Sequence, residues 1–147
     1  MDSEFKDCLA RGAIKESKDA VRLVSKEIKA AKQDLEEAQK SLKRESTKWA
    51  IVQAYYSMFH AARALVCKRG YRERSHHCLI VALRVLYQGK GLNAGLIDRL
   101  QQAKALRENA DYVGDFSRES AAFLVQAAEE LLLVANSFVK EGIHRKK

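Results

Sequence analysis

The sequence contains no proline and only seven glycines among its 147 residues. Strands joined by tight turns need these residues at short intervals, because proline and glycine readily adopt the backbone angles of turns. The chain is therefore expected to be helical. Its length suits one domain, residues 1–147, with a core large enough to be stable without disulfides or a structural metal.

Cysteine is also scarce, and the three cysteines, Cys8, Cys67 and Cys78, have no Cys-x-x-Cys spacing. An odd number without that spacing favours reduced, mostly buried thiols over a disulfide framework or a zinc site. His76 and His77 precede Cys78 directly, but adjacent residues of a helix point in different directions and do not share a metal ion. We therefore predict no bound metal and no other cofactor.

Long apolar runs are missing as well. The charged segment Met1–Asp7 is not followed by an apolar signal region, and no stretch has the roughly 18 consecutive apolar residues of a membrane span. We therefore predict a cytoplasmic protein without membrane contact. Positive charge, by contrast, is abundant, with a net charge of +8 and an isoelectric point near 9.5. This excess favours polyanionic partners such as RNA or nucleotides, although it can also serve solubility alone.

Apolar residues recur at intervals of three and four along most of the chain, which is the pattern of amphipathic helices. The predicted helices run from Val21 to Leu42, from Trp49 to about Arg69, from a Ser75 cap to Tyr87, from Asn93 to Asn109, and from Ser117 to Lys140. The second is apolar on more than one face and should be central, whereas the pattern directs Val21 and Phe123 inward. We predict an all-α, up-and-down antiparallel bundle of four to five helices. A short helical segment within residues 1–12 precedes it, and a basic tail, 142–147, follows.

The most specific pattern is the string Ala54-Tyr55-Tyr56-Ser57-Met58-Phe59-His60-Ala61-Ala62-Arg63, together with Leu106-Arg107-Glu108-Asn109-Ala110-Asp111-Tyr112. Both strings resemble the HEPN family, and more narrowly its small stand-alone prokaryotic members, over roughly residues 49–138. The resemblance implies a helical bundle that forms a homodimer. It also implies a partner, since such proteins are often encoded beside a minimal nucleotidyltransferase as a toxin and antitoxin pair.

In active family members an Arg-x(4–6)-His motif from each protomer forms a metal-independent ribonuclease site at the dimer interface. Arg107 matches the arginine, but Tyr112 stands at the first position where the histidine is expected. A phenol with a pKa of roughly 10 is poorly matched to proton transfer at neutral pH, so the substitution favours binding over cleavage. The resemblance makes Arg107, Asp111 and Tyr112 the candidate catalytic residues.

From the residues alone, Arg107 and Asp111 lie four apart on one helical face and are equally consistent with a surface ion pair. Tyr112 is either a packing aromatic or a hydroxyl presented to a ligand. Tyr55, Tyr56 and His60 lie on the apolar second helix, where core packing is the default and a buried histidine finds a hydrogen-bond partner.

The segment from Lys68 to His77 is the densest basic stretch and ends at a predicted helix N-terminus, an arrangement that suits phosphate groups. Arg72 and His77 satisfy Arg-x4-His, but they lie between the second and third helices, so we interpret the match as a coincidence. The candidate nucleic-acid-binding residues are Arg63, Lys68, Arg69, Arg72, Arg74 and His76.

These observations favour a HEPN-type module that binds RNA or nucleotides and pairs with a nucleotidyltransferase. Two alternatives remain open on the sequence. One is a metal-independent endoribonuclease toxin in which Asp111 or Tyr112 replaces the histidine, and the other is a non-catalytic adaptor whose bundle binds another protein.

Overall fold

The computed structural model describes residues 2–109 and 116–145, with side chains omitted at 109 and from 141 onward. Its elements in chain order are α1 (Ser3–Ala10), β1 (Ile14–Glu16), a 3-10 helix (Lys18–Leu23), α2 (Val24–Lys43), α3 (Thr47–Lys68), β2 (Tyr71–Glu73), α4 (His76–Tyr87), α5 (Ala94–Asn109) and α6 (Arg118–Arg145). The prediction of an all-α bundle is confirmed, with α1 as the short N-terminal segment.

The central helix is α3, which contacts α2, α4, α5 and α6. Alanines supply much of its surface, and five of them are completely buried: Ala50, Ala54, Ala61, Ala62 and Ala64. Small side chains let neighbouring helices approach closely, so α2 and α6 pack extensively against α3. Because only three residues connect α2 to α3, these two helices must run antiparallel to pack along their length.

Two positions predicted to face inward do not. Val21 is 41% exposed because residues 18–23 form a 3-10 helix, whose tighter winding changes the phase of the apolar positions before α2 begins at Val24. Phe123 is 44% exposed, since its neighbour Leu124 is the residue of α6 that enters the core. The prediction that Ala127 and Leu131 of α6 face inward is confirmed, since both are fully buried.

A short antiparallel sheet is the feature that the helical prediction omitted. β1 pairs with β2 so that Lys15 lies opposite Arg72, with Ile14 opposite Glu73. Gly70 lets the chain turn from α3 into β2, because its φ of +85° is a conformation that glycine adopts without strain. As predicted, α3 ends just before this glycine. The sheet joins the chain before α2 to the chain after α3.

The prediction of reduced thiols is wrong for two of the three cysteines. Cys8 of α1 and Cys78 of α4 form a disulfide with a Cα–Cα distance of 5.9 Å, which ties the N-terminal helix to the bundle. The pair is 70 residues apart, so sequence spacing gave no sign of it. Cys67 is a free, buried thiol, and burial raises its pKa to about 11.

Helix α6 contains one stretch, Arg118–Lys140, that is long and apolar enough by length and composition to cross a membrane. Its mean hydropathy is high although charged residues interrupt it, so the lack of an uninterrupted apolar run in the sequence did not reveal it. Leu124, Leu131 and Ala135 of this stretch are buried against the bundle. Core helices of soluble proteins have the same composition, and the packing of α6 onto α3 accounts for it.

Candidate functional site

Two consecutive tyrosines of α3 organise the candidate site. Successive residues of a helix point about 100° apart, so Tyr55 faces the core and is 1% exposed, whereas Tyr56 is half-buried at its edge. Nη2 of Arg107, from α5, donates a hydrogen bond of 2.6 Å to the hydroxyl of Tyr56. The guanidinium carbon lies 5.2 Å from the ring centre of Tyr56 and 6.0 Å from that of Tyr55. Both rings therefore stabilise the cation and fix its position.

The hydroxyl of Tyr55 contacts a different side chain, that of His76, the first residue of α4. Its oxygen lies 2.5 Å from Nδ1 of His76, and the imidazole packs at 4.3 Å, ring centre to ring centre, on Phe59. Ser75 precedes it as the predicted N-cap and accepts a hydrogen bond from the amide of Cys78. We call the group formed by Tyr55, Tyr56, Phe59, His76 and Arg107 the Arg107 cluster.

Among the described residues, no carboxylate forms an ion pair with Arg107. Within residues 2–109 and 116–145 no carboxylate lies within 4.0 Å of its guanidinium. The neighbouring Glu108 is instead bound by Lys104, whose Nζ donates a 2.6 Å hydrogen bond and lowers the pKa of that carboxyl. Within the described part of the chain, Arg107 therefore presents a positioned positive charge whose one hydrogen bond is the one to Tyr56.

The two polar groups deeper in the cluster are held in their neutral forms. Burial lowers the pKa of His76; Glu73 opposes that effect, while the positive charges of Arg107, Lys104 and Arg63 reinforce it. Burial raises the pKa of Tyr55 above its ordinary value, against the attraction of Arg107. A neutral imidazole and a protonated phenol therefore lie beside a permanent cation.

Arg63, predicted to bind nucleic acid, lies in a different environment. Its Nε and Nη2 donate hydrogen bonds of 2.7 and 3.0 Å to Glu73, and Nη1 donates one of 3.3 Å to Glu27. Both carboxylates are almost fully buried, with side-chain exposures of 4% and 8%. Arg63 thus joins α3 to α2 and β2, and its guanidinium is committed to these contacts.

His60 belongs to the same buried network, as the sequence predicted for a satisfied histidine. Its Nδ1 lies 3.1 Å from Glu27, and its Nε2 lies 3.6 Å from Asp34. Burial alone would raise the pKa of Glu27, but His60 and Arg63 outweigh that effect and hold it below the ordinary value. The network is structural, with its charges compensated inside the bundle.

The basic segment after α3 divides into two parts. Lys68 donates to the backbone oxygen of Phe138, and Arg69 donates to that of Leu86 at 3.3 Å, so both also hold α3 to its neighbours. Arg72 and Arg74 are exposed on β2 and just beyond it. The sheet places Lys15 directly opposite Arg72. These three cations border a surface cavity of about 330 Å³, which the carboxylates of Glu16 and Glu73 also line. Like charges opposite one another repel, which favours an anion between them.

The structure thus separates the predicted nucleic-acid-binding residues. His76 joins Arg107; Arg72 and Arg74 join Lys15; Arg63, Lys68 and Arg69 serve packing contacts. Sequence reasoning missed Tyr56, because tyrosines on an apolar helix are usually core residues, and Lys15, because strand pairing over more than fifty residues leaves no local pattern. Among the described residues, no three His, Cys, Asp or Glu side chains lie together in a group that could hold a metal ion.

A family model for the HEPN domain matches residues 24–140, most of the chain. The chain belongs to the HEPN family.

Two archaeal relatives accompany this match. The HEPN chain is 35% identical over 77 residues to the UPF0332 protein PH1297 of Pyrococcus horikoshii, covering 52% of this chain and 51% of that protein. It is 30% identical over 91 residues to a UPF0332 protein of Archaeoglobus fulgidus, covering 60% and 73%. The chain therefore spans about half the length of the first relative and about three quarters of the second. Neither name states a ligand or reaction.

Arg107 lies near the described end of α5. The two other candidate catalytic residues, Asp111 and Tyr112, lie outside the described residues. The proposed exchange of a histidine for Tyr112 therefore stays a prediction from sequence. Within the described part of the chain, the imidazole nearest to this arginine in the hydrogen-bonded cluster is that of His76.

We predict that Arg63→Met lowers the free energy of unfolding by about 2–3 kcal/mol, because Glu73 would stay buried without its partner and Glu27 would keep only His60. The value is below that of a fully buried pair, since a third of the Arg63 side chain is exposed. Urea denaturation measures it, with the exposed Arg72→Met as a matched control expected to change stability by about 0.5 kcal/mol or less. Equal losses in both variants would contradict a structural role for Arg63.

We predict that the protein loses stability as the pH falls from 7.5 to 5.5. The pKa of His76 is below its ordinary 6.5 in the folded state, so the unfolded chain binds the proton more readily and gains population below that pH. Urea midpoints at each pH measure how steeply stability depends on pH. His76→Asn should make this dependence weaker, and the exposed His77→Asn should leave it unchanged. The pKa of Glu27 is also lowered, but the stability that this carboxylate contributes is lost only as the pH falls below about 4.5. An unchanged slope in His76→Asn would refute this.

Proposed function

We propose that this HEPN protein is a cytoplasmic module that binds RNA or nucleotides by their phosphates, with Arg107 as the principal contact. The carrying observation is that Arg107 is held by Tyr56 and the two tyrosine rings while no carboxylate among the described residues neutralises it. The planar guanidinium of Arg107 matches the paired oxygens of a phosphate.

The comparison with Arg63 strengthens this choice. Both arginines contact aromatic rings of α3, but Arg63 is bound by Glu73 and Glu27 on two sides. An incoming phosphate would have to displace buried carboxylates at Arg63, at a large cost in desolvation and lost pairing. At Arg107 it would displace no carboxylate of the described residues.

The basic surface of the sheet provides a second contact for a longer strand. Lys15, Arg72 and Arg74 form no ion pair with a described carboxylate and carry no specific geometry for one base. Such contacts release counterions and strengthen binding without reading sequence. RNA is therefore favoured over a small nucleotide as the ligand that uses both surfaces.

We predict that Arg107→Gln weakens binding to a labelled single-stranded RNA by about tenfold, the effect of losing a hydrogen bond to a charged group. The double variant Arg72→Gln with Arg74→Gln should reduce the slope of log affinity against log salt by about 1.4, as expected for two single-strand phosphate contacts. Fluorescence anisotropy across salt concentrations measures both.

The matched control for charge is Lys29→Gln with Lys32→Gln on the exposed face of α2. If this control weakens binding as much as the other variants, only net charge matters and the proposed site is wrong. Metal-independent RNA cleavage that disappears in Arg107→Gln would instead establish the endoribonuclease alternative. Absence of RNA or nucleotide binding by the parent protein would leave the adaptor alternative.

We also propose that the protein forms a homodimer and pairs with a minimal nucleotidyltransferase, as the HEPN resemblance implies. An apolar groove of about 320 Å³ supports a dimer contact beside Arg107, and the exposed ring of Phe123 borders it. The groove is lined by Gln102, Ala105, Leu106, Ser120, Phe123 and Leu124. Two copies joined there would bring their Arg107 side chains toward one cleft.

We predict a dimer at high micromolar concentration in sedimentation velocity experiments, and a monomer for Phe123→Glu, because the variant loses the apolar ring at the contact and association would have to remove water from a carboxylate. Leu133→Glu, which alters the most exposed large apolar residue of α6, is the control and should leave the dimer intact. A monomeric parent protein, or equal dissociation in both variants, would contradict this interface.

A further inference from the structure

The imidazole of His76 has one ring nitrogen whose role the packing does not explain. Nδ1 is bound to the hydroxyl of Tyr55, but Nε2 has no hydrogen-bond partner among the described residues. In that part of the chain no buried side-chain nitrogen or oxygen lacks a partner. Nε2 must therefore reach solvent, although the ring itself is packed on Phe59.

The hydrogen bond to Tyr55 determines which nitrogen of the imidazole carries the proton. Tyr55 is 1% exposed, and its raised pKa keeps the phenol protonated. A buried O–H needs an acceptor, and Nδ1 of His76 is the hydrogen-bond partner that the described structure provides. Because Nδ1 accepts, the proton of the neutral imidazole lies on Nε2. His76 thus presents an N–H donor outward and no lone pair.

Arg107 and His76 are joined through the same tyrosine pair. The guanidinium carbon of Arg107 lies 6.0 Å from the ring centre of Tyr55, and the imidazole centre lies 5.9 Å from it. The charged side chains around His76 are three cations, Arg63 on α3 with Lys104 and Arg107 on α5, and two carboxylates, Glu73 on β2 and Glu108 on α5. They leave an excess of one positive charge. An N–H donor beside a permanent cation favours an anion with several acceptor oxygens.

We propose that Nε2–H of His76 donates a hydrogen bond to a phosphate oxygen of the ligand and forms, with Arg107, one phosphate-binding site. This inference rests on the proposed function and adds a second residue to it, from a different helix. The tyrosine pair serves as its support, since Tyr56 fixes the guanidinium and Tyr55 fixes the imidazole. With its lone pair turned inward, His76 positions a phosphate and does not accept a proton from a 2′-hydroxyl.

Two amide substitutions separate the nitrogens of His76. In His76→Asn the side-chain oxygen takes the place of Nδ1 and still accepts from Tyr55, but the outward donor is lost. In His76→Gln the amide nitrogen takes the place of Nε2 and keeps that donor. His77→Asn is the control, because His77 is exposed and contacts Glu4 at 3.4 Å.

Binding of a labelled single-stranded RNA decamer should weaken by about tenfold in His76→Asn, stay within about threefold of the parent in His76→Gln, and be unchanged in His77→Asn. Circular dichroism and unfolding midpoints verify the fold of each variant. ATP as a competitor distinguishes the two sources of phosphate. Displacement that weakens in parallel in His76→Asn supports a site open to free nucleotides, and lack of displacement with the same RNA pattern supports RNA alone.

Equal weakening in His76→Asn and His76→Gln would show that packing, and not the outward donor, matters, which overturns the inference. Parent-like binding by His76→Asn combined with weak binding by Arg107→Gln overturns it too, while leaving the proposed function intact. If neither variant changes binding, both proposals fail. Should His76→Asn not fold, His76→Gln decides, because lost binding in that variant contradicts an Nε2 donor.

Discussion

Helix α3 is enclosed by α2, α4, α5 and α6, and this enclosure determines where every polar side chain on it must find a partner. Ser57, fully buried, donates to the backbone oxygen of Ala31 at 2.8 Å. Tyr55 and Tyr56 instead reach side chains of other helices, His76 and Arg107. Because an unpaired buried polar group is costly, packing of α3 and assembly of the Arg107 cluster are a single event. The site is therefore a consequence of the core.

Two arginines illustrate how burial separates structure from function in this bundle. Arg63 is surrounded by carboxylates that are themselves buried, so its charge is neutralised within the fold. Arg107 contacts two aromatic rings and the hydroxyl of Tyr56, which orient the cation, and no carboxylate of the described residues forms an ion pair with it. The first arrangement stabilises the folded chain, and the second retains the capacity to bind an anion.

Periodicity predicted most of the bundle because long amphipathic helices repeat their apolar residues many times within one element. Leu96, Ile97 and Leu100 of α5 are buried as expected. The sequence did not predict the 3-10 helix before α2 or the small sheet, because tertiary contacts and not a local pattern stabilise these short segments. Likewise, the Cys8–Cys78 disulfide depends on the approach of α1 to α4, which no spacing in the sequence encodes.

The sequence predicted Arg107 as a site residue, but it did not predict which side chains surround this arginine. The family motif identified Arg107, and the motif's missing histidine directed attention to Tyr112. His76 was assigned to the basic segment by its neighbours in sequence, whereas folding brings it to Tyr55, 21 residues away. Charge density along the chain likewise overestimated Lys68 and Arg69, whose backbone hydrogen bonds become visible only when α4 and α6 are in place.

The central claim is that Arg107 and His76 contact phosphate together. The most direct measurement is a side-chain ¹⁵N NMR titration of the whole protein with inorganic pyrophosphate, following Nε of Arg107 and Nε2 of His76. The account predicts that both resonances shift along one saturation curve, with Nε2 retaining the proton throughout. Shifts confined to Arg72 and Arg74, with Arg107 and His76 unchanged, would contradict it.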